Sequence, residues 1–496
     1  MTTIEAKYLD EVYLRIKSDD GIARELSNLF TFMVPNYQHM PAYKYGPWDG
    51  KIRLFNQKER KLYIGLLPQL REYAKKQNYK LIQDPQFDHT EFSLKEAEDF
   101  IASLNLKFQP RDYQIDAFVR MIRERHGLYL CPTASGKSLI IYLLTQYLPG
   151  KKLIICPRIN LVTQMAKDFI DYDLDQKVGK TIQMIKEGAT RDIRKDIVIT
   201  TYHSIVNQPQ KWFDQFTAVI GDEAHTFKAD SLKKIIHKTT KPKYKIGVTG
   251  TLDGTLTNEM VLRGMFGPIT VVKKMHELME AGYVAPLKIK CVVLSYPDEI
   301  REACYKAKKA KPSQFEYQDE IRFLLNYKRR NNYIKNLALS LKGNTLVLFT
   351  RIEEHGIPLH DAVKKEAKIP VHLVHGKIKG DDREDIRQIV IAGNESIILA
   401  STGVFSEGVN IPNIHNIIFA NPSKARIKIM QSIGRGLRLD DSKTHCTLFD
   451  IADDLSWKAK RAKTTWYNYA MDHYTQRVDM YIKEKFEYKQ FLVGIK

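Results

Sequence analysis

The chain has 496 residues, 43% of them hydrophobic, the make-up of an ordinary globular protein long enough for about three domains. It carries 78 Lys and Arg against 58 Asp and Glu, a formal charge of +20 that suggests a polyanionic partner, with a generally solvated surface as a serious competitor on charge alone. Five cysteines with no Cys-x-x-Cys pair argue against zinc ribbons and iron–sulfur clusters. No apolar run approaches the ~20 residues of a membrane helix, and the first residues lack a basic segment followed by an apolar core. A soluble, intracellular, cytoplasmic protein with no membrane contact is expected.

Residues 1–105 hold no nucleotide motif and read as a small α+β domain. Residues 8–16 alternate weakly, like a strand, and 21–32 and 94–104 read as helices, the second closing the domain. Between them, Gly46-Pro47 and Asp49-Gly50 mark turns among short strands. Lys44, Trp48, Lys51 and Arg53 interleave aromatic and basic side chains there, as a surface that stacks on bases and meets phosphates would. A small hairpin with an ordinary aromatic core fits the same composition.

From 106 to 285 strands and helices alternate. Short aliphatic runs at 128–131, 153–156, 197–200, 218–221 and 245–248 each end at a polar or glycine-containing stretch, the signature of a parallel sheet flanked by helices. Ligands bind such sheets at the carboxyl ends of the strands. The stretch Pro132-Thr133-Ala134-Ser135-Gly136-Lys137-Ser138 lies there, between an apolar strand and an apolar helix. That is the setting of a phosphate-binding loop, with backbone N–H groups and a helix N-terminus cradling phosphates. Lys137 would meet the β- and γ-phosphates and Ser138 would ligate Mg²⁺. Cys131 stands where such loops usually begin with glycine, a departure that fits helicases better than nucleotide kinases. Asp222-Glu223-Ala224-His225 follows another buried strand. Asp222 would hold the metal and Glu223 would orient and deprotonate the attacking water.

A crossover is expected at 283–287, followed by a second sheet domain over 286–456, with strands near 345–349, 371–374, 396–400, 416–420 and 446–450 and no phosphate loop. A charged stretch around 300–335 reads as helical. Residues 457–496 read as a basic helical extension whose tyrosines pack onto the second domain.

The motif order over 111–438 resembles superfamily 2 helicases with a DEAH-type second motif. The resemblance implies two tandem RecA-like domains, ATP and Mg²⁺ as cofactors, and nucleotide contacts from Arg111, Gln114 (on the base edge), His225, Glu407 and Gly408. It implies nucleic-acid contacts from Arg158, Thr200 and Thr201 in the first domain, and from Thr350, Arg351, His375, Gly376, Ser401 and Thr402 in the second. Thr249-Gly250-Thr251 stands where the family has Ser/Thr-Ala-Thr. Gln431-Ser432-Ile433-Gly434-Arg435-Gly436-Leu437-Arg438 matches the sixth motif. Its Arg435 and Arg438 share a helical face, so that both guanidiniums can reach the γ-phosphate; Gln431 joins them in the catalytic set. The 43–54 stretch, together with 208–213, 264–267, 296–299 and 479–485, is similar to phage UvsW-type recombination helicases. That implies an ATP-dependent, 3'-5' motor on branched DNA: fork regression, Holliday-junction migration, and unwinding of R-loops or D-loops, in the host cytoplasm if phage-encoded. The partners would be single-strand/duplex junctions and RNA–DNA hybrids. An RNA helicase and a nucleotide-regulated clamp without unwinding remain alternatives; oligomeric state is left open.

Overall fold

In the computed structural model the chain divides into two compact units, Met1–Cys131 with Gly136–Lys273, and Pro132–Ser135 with Lys274–Lys496. The structure describes residues 2–495 apart from 187, 229, 311–314, 379, 406–410, 423–432, 435, 438 and 461.

The first unit opens with a small α+β module. Its strands are β1 (Thr3–Tyr8), β2 (Tyr13–Lys17), β3 (Thr31–Met33), β4 (Lys51–Arg53), β5 (Phe55–Asn56), β6 (Lys61–Tyr63) and β7 (Lys80–Gln83). Its helices are α1 (Asp20–Leu29), α2 (Pro41–Lys44) and α3 (Leu67–Lys76). The main sheet runs β5-β6-β2-β1-β7, while β3 and β4 pair separately and antiparallel. The stretch expected as one strand over 8–16 is the end of β1, a turn and most of β2. The Asp10 carboxylate accepts from the N–H groups of Val12 and Tyr13 at 2.7 and 2.9 Å, and this side-chain turn reverses the chain.

The module does not stand alone. Ile4, Leu14 and Leu26 belong to the same buried cluster as Leu128 and Phe266 of the following domain. Thr257 Oγ1 donates to the Met33 carbonyl at 2.9 Å, and the Glu11 N–H donates to the Thr240 carbonyl at 3.0 Å. At Gly65 a Cβ would meet the Arg263 carbonyl oxygen at 2.1 Å, so only glycine allows this approach to the helix Leu256–Phe266. Gly65→Val is therefore expected to weaken the docking by about 1–3 kcal/mol. The measurement is amide exchange, which should speed up in β1, β2 and residues 256–266 before the rest of the unit.

The helix α4 (Leu94–Ser103) starts at a capping box, with Ser93 Oγ accepting from the Glu96 N–H at 3.1 Å and Glu96 accepting from the Ser93 N–H at 2.6 Å. It does not close the first module as expected. Ala97 and Ile101 are buried with Phe118, and the Phe100 and Phe118 rings lie 5.9 Å apart, so α4 packs on α5 (Asp112–Glu124). The module thus ends ahead of α4.

The larger sheet of this unit has seven parallel strands: β8 (His126–Leu130), β9 (Lys151–Cys156), β10 (Ile182–Ile185), β11 (Ile197–Thr201), β12 (Phe216–Asp222), β13 (Tyr244–Thr249) and β14 (Ile269–Val271). Their order is β10-β11-β9-β12-β13-β8-β14. The central strands are covered on both faces, which is why they read as unbroken apolar runs. Two helices that matter for the site are α6 (Lys137–Tyr147) and α7 (Ile159–Tyr172). Leu139 through Leu144 are all buried, so α6 is sandwiched rather than amphipathic.

The second unit begins at Lys274, before the crossover expected at 283–287. That stretch is already tied into it: the Ala285 N–H donates to the Leu437 carbonyl at 2.7 Å, and the Cys446 N–H to the Pro286 carbonyl at 2.9 Å. Its sheet holds β15 (Leu287–Ser295), β16 (Thr345–Phe349), β17 (Val371–Val374), β18 (Ile397–Ser401), β19 (Asn416–Phe419), β20 (Cys446–Asp454) and β21 (Tyr488–Gly494), all parallel, in the order β17-β18-β16-β19-β20-β15-β21.

The C-terminal extension is not purely helical. Trp457 and Trp466 exchange backbone hydrogen bonds at 3.0 and 2.9 Å across the basic loop between them. The helix Tyr469–Lys483 follows, capped by the buried Glu320 carboxylate, which accepts from the N–H groups of Tyr469 and Ala470 at 3.0 and 2.7 Å. Arg477 Nε and Tyr481 Oη both donate to Asp450 Oδ2 at 2.9 Å, fastening the helix to β20. Tyr474 and Tyr481 pack onto the domain as expected. After Lys485, at φ +56°, the chain turns back and adds β21 beside β15.

Candidate ATP and nucleic-acid sites

The turn from β8 into α6 uses two left-handed residues, Ala134 at φ +68° and Gly136 at φ +76°. Gly136 is the N-cap of α6, and a Cβ there would meet Gln114 Nε2 at 2.2 Å. The left-handed conformation favours glycine here, and a larger residue would also have to displace the end of the Gln114 side chain. Lys137 and Ser138 then fall in the first helical turn, where N–H groups have no partner within the helix. Pro132, Thr133, Ala134 and Ser135 make up the connecting loop, with the Ser135 N–H on the Pro132 carbonyl at 3.1 Å.

Lys137 Nζ donates to Glu223 Oε1 at 2.6 Å. Burial works against the Lys137 ammonium, but the Glu223 and Asp222 carboxylates outweigh it and raise its pKa above the usual lysine value. Burial pushes the Asp222 carboxyl up to about 6; Lys137 pulls it down while Glu223 and Asp168 push it up. Glu223 sits at φ +48°, a conformation that a non-glycine residue adopts only when its surroundings enforce it. Two carboxylates and a lysine thus converge at the carboxyl ends of β8 and β12. Burial also pushes the Cys131 thiol up to about 12, so this cysteine is a neutral filler behind the loop.

His225 Nδ1 lies 2.8 Å from Thr249 Oγ1 and 3.5 Å from Glu223 Oε2, joining the acidic motif to the Thr249-Gly250-Thr251 stretch at the end of β13. Gln114 is buried in the first turn of α5, its Oε1 accepting from the Arg111 N–H at 2.8 Å, while Arg111 Nη1 donates to Tyr113 Oη at 3.0 Å. Of the expected strand-contacting residues in this unit, Arg158 is exposed at the start of α7. Thr200 is 0% exposed and its hydroxyl donates to the Ile185 carbonyl at 2.9 Å; Thr201 is buried with its hydroxyl 3.1 Å from Ser204 Oγ. These two threonine side chains brace the end of β11 and offer no surface for a strand.

In the second unit, Thr350, Arg351, His375, Gly376, Ser401 and Thr402 gather at the carboxyl ends of β16, β17 and β18, which are neighbours. Thr350 and Gly376 are exposed. Arg351 Nη2 donates to Gln318 Oε1 at 2.6 Å, His375 Nδ1 accepts from the Lys377 N–H at 3.3 Å, and Thr402 Oγ1 donates to the Phe349 carbonyl at 2.9 Å. Ser401 is buried at the end of β18. Glu407, Gly408, Gln431, Arg435 and Arg438 lie outside the described residues.

In the N-terminal module, Trp48 Nε1 donates to the Lys51 carbonyl at 2.9 Å and Arg53 Nη1 donates to Asp49 Oδ1 at 3.1 Å. The hydrogen bond from Arg53 holds the Asp49 carboxyl down at about 2. Arg53 and Trp48 both bond within this turn, while the Arg53 side chain remains 51% exposed. Lys44 and Lys51 are exposed, and Tyr45 is 87% exposed. Sequence reasoning passed over Tyr172, whose Oη lies 2.6 Å from Ser138 Oγ. No motif marks it; only the packing of α7 brings it there.

Three family models match: "DNA helicase UvsW, N-terminal" over residues 3–84, "Type III restriction enzyme, res subunit" over 107–254, and "Helicase conserved C-terminal domain" over 329–440. The ATP-dependent DNA helicase uvsW of Enterobacteria phage T4 is 34% identical, over 99% of this chain and all of that protein. The chain belongs to the UvsW family of superfamily 2 helicases. The match of the UvsW N-terminal model to residues 3–84 also places α4 outside the family's first module, as the packing does. The crystal structure of T4 UvsW covers both chains in full at 31% identity and a TM-score of 0.50. A more distant relative, the DNA 3'-5' translocase XPB2 of Sulfurisphaera tokodaii, is 25% identical over 68% of this chain and 80% of that protein.

Proposed function

We propose that the chain is an ATP-dependent DNA helicase of superfamily 2 that moves 3'-5' and acts on branched DNA, remodelling forks, four-way junctions, and R-loops or D-loops in recombination, repair and replication. The observation that carries the motor reading is the half-buried Lys137–Glu223 pair beside the buried Asp222 at the strand ends. Full-length similarity to the T4 helicase supports DNA as the substrate, and the distant relative named a 3'-5' translocase supports the direction.

Mg²⁺ needs few protein oxygens when it is bound together with phosphates, and the Ser138 hydroxyl and the Asp222 carboxylate fit that demand. When bound, the ion neutralises charge developing on the transferred phosphoryl group. Lys137 exchanges Glu223 for the β- and γ-phosphates. Glu223, released, orients the attacking water and accepts its proton. Gln114, which lies against Gly136, and Arg111, bonded to Gln114, are proposed to meet the base. Arg435 and Arg438 are proposed to complete the γ-phosphate site, with Gln431, Glu407 and Gly408 near it. Thr350, Arg351, His375 and Gly376 are proposed to grip a strand by its backbone, which carries no sequence information.

Choice of branched structures is proposed to lie in the N-terminal module, where Lys44, Lys51, Tyr43 and Tyr45 are exposed. Because the module shares its core with the motor domain, deleting it would uncover Leu128 and Phe266, so point changes are the cleaner test. Lys44→Ala with Lys51→Ala is expected to lower affinity for a four-way junction more than for a tailed duplex, and to flatten the dependence of log affinity on log salt by nearly one unit per lysine. Competition binding at several salt concentrations measures both. An equal loss on both substrates would assign these lysines to general backbone contact.

A further inference from the structure

The contact between Ser138 and Tyr172 joins a residue of the ATP site to one that no motif assigns. The two hydroxyl oxygens are 2.6 Å apart, both half-buried, within the range of a good O–H···O bond. A serine hydroxyl has one proton and two lone pairs. To ligate a cation through a lone pair it must turn its proton away, and the acceptor available here is Tyr172 Oη.

Tyr172 is well placed to hold that orientation because its own ring is fixed. It packs edge-on to Tyr142, one turn below Ser138 on α6, at 5.7 Å and 77°, and to Phe108 at 6.2 Å and 82°. Its carbonyl accepts from the Lys107 N–H at 3.0 Å. The segment it anchors, 107–108, runs directly into Arg111 and Gln114. A hydroxyl set by two ring contacts and a backbone bond is pre-organised in a way that a flexible side chain is not.

We infer that Tyr172 is a positioning residue of the ATP site: it accepts the Ser138 proton, turns the serine lone pairs toward the metal that accompanies the nucleotide, and ties that ligand to the segment leading into Arg111 and Gln114. This rests on the reading of Ser138 as a metal ligand, and the test separates the two.

Tyr172→Phe removes the hydroxyl and keeps both ring contacts. The full chain is titrated with a fluorescent ADP analogue in EDTA and again in Mg²⁺, and the readout is the factor by which Mg²⁺ tightens binding. Tyr172→Phe is expected to leave the affinity in EDTA unchanged and to cut the Mg²⁺ enhancement about three- to tenfold, the weight of one hydrogen bond. Ser138→Ala should cut it at least as far, and the double variant no further than Ser138→Ala alone, because the two groups act as one unit. Thermal melting matched to the parent confirms that packing is intact. An undiminished or increased enhancement in Tyr172→Phe, with Ser138→Ala impaired, overturns the positioning role. An undiminished enhancement in Ser138→Ala overturns the metal-ligand reading beneath it, and the inference with it.

Discussion

Lys137→Ala is expected to lower ATP turnover by a factor on the order of 10²–10³, the scale set by removing one preorganised group that meets developing charge. DNA binding should largely survive, because the expected strand contacts lie on other residues. The structure adds a second consequence. Lys137 is the charge that pulls the Asp222 carboxyl down against burial, and it neutralises Glu223 at 2.6 Å. Without it the buried Asp222 carboxyl feels the Glu223 charge uncompensated, and its pKa should rise beyond about 6. The residual activity of the variant should therefore need a higher pH than the parent. Steady-state ATPase assays across pH 5–8, with and without DNA, read both effects; turnover near that of the parent would remove Lys137 from the phosphate site.

Glu223→Gln should act on the chemical step. Loss of a positioned general base lowers turnover by about 10²–10⁴. The amide can still accept from Lys137, so folding and nucleotide binding should be retained. Here the effect on Asp222 has the opposite sign. Glu223 is one of the charges that raise Asp222, so removing its charge should lower that pKa and move the acid limb of nucleotide binding downward. In the parent, the folded state holds the Asp222 proton more tightly than the unfolded chain, whose carboxyl titrates near 3.8. Its contribution to stability therefore falls as pH rises from about 4 to about 6, and at neutral pH its burial weighs against the fold. Nucleotide binding and single-turnover hydrolysis, measured separately, distinguish this variant from Lys137→Ala. Hydrolysis at the parental rate would mean that Glu223 only balances Lys137.

The parts legible in sequence were those that burial makes unambiguous. β8, β9, β11, β12 and β13 are covered on both faces and read as unbroken apolar runs, and the motifs at their carboxyl ends fell into place with them. The strands missed in the first sheet, β10 and β14, are its edges. An edge strand is short and half-exposed, and Gln183 in β10 breaks the apolar run. β21 is likewise an edge, with Leu492 exposed, and the helix before it suggested a helical tail. β15 escaped notice because Lys288 and Lys290 give its first half an alternating look beside an expected crossover. The docking of the N-terminal module was not legible either, since it depends on Gly65 meeting a helix some two hundred residues away. Among the expected contacts, Thr200 and Thr201 carried the right residue type, but both are buried with their hydroxyls bonded to the Ile185 carbonyl and Ser204 Oγ. Residue type says what a side chain can do, and neighbours decide whether it is available.

The pairing of β15 with β21 bears on how this protein is made. β15 spans Leu287–Ser295 and its parallel partner spans Tyr488–Gly494. At about 5–20 residues per second, a ribosome that has finished the first strand needs roughly 10–40 s more to finish the second. Both neighbours of β15, β20 (Cys446–Asp454) and β21, are made after it, so for most of that interval both of its edges are rows of backbone groups open to other chains, and the edge that β21 covers stays open longest. Premature stop codons at positions 485–488 would remove β21 and leave that edge bare for good. Truncated products of that kind should be found in aggregates or in chaperone complexes, even though every residue assigned to ATP and DNA is present in them.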